Sequence, residues 1–107
     1  MHLGKGTKAR ITIVKRTVNR DLIEEYSSDD REECGCCQRY QDGQEFVVES
    51  PSLKPKGFCA WAWADIHRDV VAIVSGGSYP WIKQPGTAIA CCSDGLKPVI
   101  FNVERIE

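Results

Sequence analysis

No stretch of this 107-residue chain is apolar for long enough to cross a bilayer: the longest such run, Val70 to Val74, falls far short of a span. Nor is a secretory leader expected from these residues, since only Ile11 to Val14 follow the N-terminal lysines, too short for the apolar core of a signal peptide. Neither charge is in excess. With 14 basic against 15 acidic side chains, there is no electrostatic footprint for phosphate backbones or anionic lipid. These absences leave neither nucleic acid nor membrane as an expected partner and point to a cytoplasmic protein. Internal repeats, low-complexity segments and a glycine-rich nucleotide motif are lacking too, and Gly76-Gly77 reads as a helix stop. At this length one modest core can be buried, about 65% of the unfolded surface. Residues 1–107 therefore read as one domain, with 1–8 expected to be a flexible tail.

What the chain does have is cysteine, six of them, at 34, 36, 37, 59, 91 and 92. In a secreted chain an even count suggests disulfides, but a reducing compartment points elsewhere. The adjacent pairs Cys36-Cys37 and Cys91-Cys92 also suit a bridge framework poorly, because neighbours cannot both reach one distant partner without backbone distortion. Metal binding, redox chemistry and plain packing remain. Charge is unevenly placed: Lys5, Lys8, Arg10, Lys15, Arg16 and Arg20 precede any acid, and Asp21 to Glu33 then holds seven acids against Arg31. An exposed strand face followed by a solvated loop accounts for both stretches.

The pattern of residues predicts α+β architecture: a small, mostly antiparallel sheet of three or four strands packed against one long amphipathic helix (about 59–75), plus a short helix (about 20–27). In "KARITIVKRTV" the β-branched residues predict a strand with Ile11 and Ile13 on one face. Asn19 is placed to cap the short helix, in which Leu22, Ile23 and Tyr26 share a face. "EFVVE" reads as a strand with Phe46 and Val48 on one side and Val47 on the other. At 100° per residue, Cys59, Trp63, Ile66, Val70, Ile73 and Val74 form one stripe of the long helix, opposite Asp65, Arg68 and Asp69. "TAIACC" and "LKPVIFNVERI" read as strands joined by a tight turn at Asp94-Gly95, with Pro98 marking an open edge of the last strand.

"GFCAWAWADI", "GTAIACCSDGLKPVIFNVERI" and the stretch from Cys37 to Phe46 ending in "DGQEF" resemble an uncharacterised family of small bacterial and archaeal proteins of about this length, associated with anaerobes. The resemblance covers most of the chain from Ile11 onward. It implies that the cysteines matching Cys37, Cys59 and the Cys91-Cys92 pair belong to the family's motif and that Cys34 and Cys36 are additions here. It implies no reaction, cofactor or catalytic residue. Weight therefore falls on a three-point thiol site rather than on Cys34 and Cys37 as a C-x-x-C pair.

Three readings follow. In the first, thiolates of Cys37, Cys59 and Cys91 or Cys92, with Cys34 or Cys36 as a fourth, hold zinc or an iron–sulfur cluster in a domain accessory to a redox or metabolic system. Only one of Cys91 and Cys92 can point inward, since strand neighbours face opposite ways. In the second, the cysteines pack as small hydrophobes and an aromatic surface of Trp61, Tyr79 and Trp81 binds another protein. In the third, Cys59, at a helix start that favours a thiolate, is the nucleophile of a thiol-redox enzyme. Acids crowd Cys34 and argue against it as a nucleophile. His67 is one turn beyond Trp63 and about 12 Å of helix rise from Cys59, too far to pair with it. Such a border histidine is expected to be satisfied by water or by a neighbouring backbone group.

Overall fold

The computed structural model describes residues 8–28, 37 and 39–106. Strand β1 (Ala9–Arg16) is followed by helix α1 (Arg20–Tyr26), strand β2 (Glu45–Val48), helix α2 (Ala60–Val74) and strands β3 (Thr87–Cys91) and β4 (Val99–Arg105). The four strands form one antiparallel sheet in the order β2-β1-β4-β3. The architecture is thus α+β with a small sheet and two helices, as the pattern predicts. None of the described helices is long and apolar enough to cross a membrane.

Alternation decides which strand residues reach the core. Ile11 and Ile13, Val48, Ala88 and Ala90, and Val99, Phe101 and Val103 are buried in one cluster, to which α2 adds Ala62, Ile66, Val70, Ile73 and Val74. Each large aliphatic side chain so buried stabilises by about 1.5–3 kcal/mol. Val47, between two core-facing positions of β2, is exposed.

One irregularity positions the site. β1 pairs with β4 as Ile11↔Val103 and Ile13↔Phe101, but the next pairs are Lys15↔Ile100 and Arg16↔Val99, so Val14 is an extra, bulged residue. A bulge advances the side-chain phase by one. Simple alternation after Ile13 would put Lys15 on the core face and Arg16 in solvent; the bulge puts Arg16 opposite buried Val99 instead.

Helix α2 ends in a Schellman motif. Gly76 has φ +99°, its N–H donates to the Ile73 carbonyl at 3.1 Å, and the Gly77 N–H donates to the Ala72 carbonyl at 2.8 Å. Arg105 completes the cap, its Nη1 donating to the carbonyls of Ile73 (2.6 Å) and Gly77 (3.1 Å). The last strand and the last turn of α2 are thereby tied together.

Several local expectations are corrected. β4 is an interior strand flanked by β1 and β3, so Pro98 marks no open edge; its carbonyl accepts from the Thr17 N–H (2.9 Å) and Oγ1 (2.8 Å). The β3–β4 connection is no tight turn but residues 92–98, shaped by the Asp94 carboxylate accepting from the N–H groups of Leu96 (2.9 Å) and Lys97 (3.1 Å). Asn19 makes no side-chain cap: its Nδ2 donates to the Gly95 carbonyl at 2.7 Å, pinning the start of α1 to that connection. Leu22 and Tyr26 are exposed and α1 buries no residue. Much of the acidic stretch lies outside the described residues.

Candidate thiol site

Three separate segments bring cysteine to the N-terminal end of α2. Cys59 is the N-cap residue, extended at φ −67° and ψ 125°; its carbonyl accepts the Trp63 N–H at 2.9 Å, while its side chain makes no capping hydrogen bond. The thiol is therefore not consumed in starting the helix. Cys37 is held from behind by Arg16, whose Nη1 donates to the carbonyls of Cys37 (3.0 Å) and Tyr40 (2.7 Å), while Nε donates to Asp42 Oδ1 (2.9 Å). The bulge at Val14 is what allows Arg16 to reach under this segment. Cys92 follows the last residue of β3: its N–H donates to the Val99 carbonyl (3.1 Å), and its sulfur accepts the Val99 N–H (3.3 Å).

The choice between the adjacent cysteines is thus made by the strand end. Cys92 packs against the core, and Cys91 is exposed. Partial burial pushes the Cys91 thiol pKa up, and the neighbouring Cys92 and Asp65 add to the rise.

Cys37, Cys59 and Cys92 line one pocket of about 380 Å³, whose wall also includes Arg39, Tyr40, Trp61 and Lys97. The positive end of α2, with no acid in its first turn, and the two cationic side chains favour negative charge here, against one acid in the wall, Asp94, whose carboxylate accepts from the N–H groups of Leu96 and Lys97. The thiols surround the pocket without converging: among the described residues, no three His, Cys, Asp or Glu side chains are placed to hold a single metal ion. Cys34 and Cys36 lie outside the described residues.

Tyr40 ties the segments together. Its ring is buried edge-on against Phe46 and Phe101, with centroids 5.9 and 5.7 Å away, and its hydroxyl accepts the Cys59 N–H at 3.2 Å. Burial pushes the phenol well above its ordinary range, opposed by the Cys59 N–H and aided by the thiols of Cys59 and Cys37. It is a neutral hydroxyl at any physiological pH.

At the pocket rim Trp61 is 73% exposed yet held in place. Its Nε1–H donates to Ser93 Oγ (3.2 Å), and Ser93 in turn gives both its hydroxyl (2.9 Å) and its N–H (2.8 Å) to Asp65 Oδ2. Asp65 is thus a clamp on the β3–β4 connection as well as part of the polar face of α2. Trp81 stacks on Tyr79 with centroids 4.9 Å apart and planes at 14°, and the Tyr79 hydroxyl donates to Asp69 (2.6 Å). That hydrogen bond, with burial, raises the Tyr79 pKa. Asp69 is eight residues beyond Trp61, about 12 Å along the helix. The aromatic residues therefore form two spots, one at the pocket and one near the far end of α2. His67 lies on the other side of the helix, its Nε2 donating to the Pro51 carbonyl at 2.6 Å, so a backbone group satisfies it.

Arg16, Tyr40 and Ser93 were not singled out by the sequence pattern, which places Arg16 on a solvated strand face. The quoted stretch around Cys37 contains Tyr40, but nothing in its spacing signals that the hydroxyl meets a helix start 19 residues away. No family model, curated protein or solved structure matches the chain.

Proposed function

We propose that this chain is a small cytoplasmic domain that holds an iron–sulfur cluster, with Cys37, Cys59 and Cys92 as thiolate ligands and Cys34 or Cys36 as the fourth, and that it serves a redox or metabolic system as an accessory. The observation that carries the reading is that three thiols from distant parts of the sequence line one pocket at the positive end of α2. A cluster suits this arrangement better than zinc. Four ligands of one zinc ion must converge within about 2.3 Å of a point, whereas each cysteine of a cluster binds its own corner of a larger core. A thiolate-ligated cluster is anionic, and two cations, Arg39 and Lys97, stand in the wall against one acid, Asp94. In this reading α2 lies lengthwise on one face of the sheet as the platform.

The test is reconstitution without oxygen, using ferrous iron and sulfide, followed by iron and sulfide analysis and visible absorption. Wild type should take up both elements with a thiolate-to-iron band, and Cys59→Ser should lose cluster and thermal stability together, because cluster binding is part of the folding free energy. Uptake of neither element by wild type would sink the reading.

A second reading, protein docking, is favoured by the exposure of Trp61 and Trp81. Trp61 borders the pocket, which is where a partner exchanging electrons with a cluster would dock; Tyr79 and Trp81 offer a separate contact. The rival in which Cys59 is a redox nucleophile rests on its N-cap position, and requires Cys59 in metal-free protein to alkylate faster at pH 7 than free cysteine.

A further inference from the structure

The sheet ends in two edge strands that differ. β2 is short and carries exposed Glu45, with exposed Glu49 directly after it, and charges of this kind keep an edge from pairing. β3 contains no charged residue and no proline. Its phase against β4 is fixed at both ends: the Cys92 N–H donates to the Val99 carbonyl (3.1 Å), and the Arg105 N–H donates to the Gly86 carbonyl (2.9 Å). Even-numbered residues of β3 therefore bond to β4, and the N–H and C=O groups of Thr87, Ile89 and Cys91 point away from it. Thr87 is buried, and beyond Cys91 the Ser93 N–H is taken by Asp65, so the open stretch runs from Ile89 to Cys91. Both of these residues are exposed, and their outward backbone groups have no partner among the described residues.

Charge decides what kind of strand fits this edge. At the start of β3 stand Lys83 and Arg105, while Glu104 is paired with Arg10; at its end stand Asp65 and Asp94 with one base, Lys97. One end is net basic and the other net acidic. A second copy running antiparallel sets each end against its opposite. We propose that two copies of this chain join along β3, about a two-fold axis at Ala90, so that two four-stranded sheets become one. Ile89 then exchanges both backbone hydrogen bonds with Cys91 of the other copy, twice by symmetry. Ala90, on the axis, has a side chain small enough to lie against its own copy. The Cys91 thiol, alternating with buried Ala90, stays on the sheet face away from α2 and open to reagent. This pairing is independent of what the thiol pocket holds.

Sedimentation equilibrium of the full chain in reductant should show a reversible monomer–dimer equilibrium. Ile89→Pro lacks the N–H and should weaken it about 10-fold or more. Ile89→Lys and Ile89→Glu change only an exposed side chain that lies diagonal to its own copy, and they decide the matter if the proline variant does not fold. Each alone should dimerise less than wild type, and an equimolar mixture should recover a one-to-one heterodimer. The register is read with Ile89→Cys, whose new thiol should bridge mainly to Cys91 of the other copy once reductant is removed, the two Cα atoms being about 5.5 Å apart in such a pair. A wild type that stays monomeric at about 1 mM overturns the proposal and leaves the edge to an extended segment of another protein. A dimer that both charge variants leave intact, or a bridge from Ile89→Cys chiefly to any other cysteine, overturns it as well.

Discussion

Replacing Arg16 by Met tests the link between fold and site, because Met keeps the apolar stem and removes only the guanidinium. Arg16 is 21% exposed and donates to two backbone carbonyls and to Asp42, whose own side chain is 63% exposed. The ion pair to so exposed a carboxylate contributes under about 1 kcal/mol. The bonds from a charged donor to the Cys37 and Tyr40 carbonyls matter more, at about 1.5 kcal/mol each at the lower end for such bonds, since water can rehydrate part of this segment. Arg16→Met should therefore cost about 3 kcal/mol, which for a domain of this size lowers Tm by roughly 10–20 °C. Thermal unfolding followed by far-ultraviolet circular dichroism reads the first quantity. Alkylation resolved by peptide mass spectrometry reads the second: Cys37 should react faster in the variant, while exposed Cys91 serves as the internal reference. Arg16→Lys, which can reach only one carbonyl well, should fall between. A Tm within about 2 °C of wild type, with unchanged labelling of Cys37, would refute the idea that Arg16 holds this segment.

Two further outcomes follow from contacts away from the pocket. Gly86 has φ +72°, and a Cβ there would lie 2.8 Å from Arg105 Nη2, so Gly86→Ala should cost about 2–4 kcal/mol through backbone strain and displacement of the cap; if displacement contributes, denaturant unfolding of the double variant with Arg105→Met should show a loss smaller than the sum by at least about 1 kcal/mol, and strict additivity would reject that cause. Cys91 has a raised pKa, so the fold favours its neutral thiol; this contribution is whole below the ordinary value of 9.0 and is lost as pH rises through the folded value. Its alkylation at pH 8 should accordingly be slower than that of free cysteine despite its exposure, and an equal or faster rate in a pH-resolved labelling series would contradict the burial argument.

Much of the fold can be read from residues that repeat with the right period. Ile11, Ile13, Val99, Phe101 and Val103 alternate cleanly, and the apolar stripe of α2 keeps its helical spacing from Ala62 to Val74, so local pattern and tertiary burial agree there. The site is less legible. Clustering of Cys37, Cys59 and Cys92 could be anticipated only as one possibility among segments, because pocket formation depends on how the β3–β4 connection folds back on α2. Which of Cys91 and Cys92 turns inward depends on β3 ending at Cys91, a boundary finer than sequence patterns resolve. Arg16 was misplaced for a sharper reason: strict alternation fails at a bulge, and Val14 carries no glycine or proline to announce one. Asn19 looked like a cap by residue type, but its amide is taken by Gly95, a contact 76 positions away.

The bulge separates two properties that are usually confounded, the identity of a residue and its presence. The Val14 side chain is 46% exposed and contributes little to the core. Most strand-compatible residues should be tolerated there, and a substitution scan would score the position as permissive. Deleting it would leave Ile13 opposite Phe101, Lys15 opposite Ile100 and Arg16 opposite Val99 in an unbroken ladder, so each side chain would keep its face. What deletion removes is the local bend and added twist that a bulge gives the end of a strand, and with them the angle at which Arg16 leaves the sheet towards the Cys37 and Tyr40 carbonyls. A lineage of such proteins could let this position drift in sequence while keeping the residue, so that the constraint would be visible in the spacing between Ile13 and Arg16 and in no preferred amino acid.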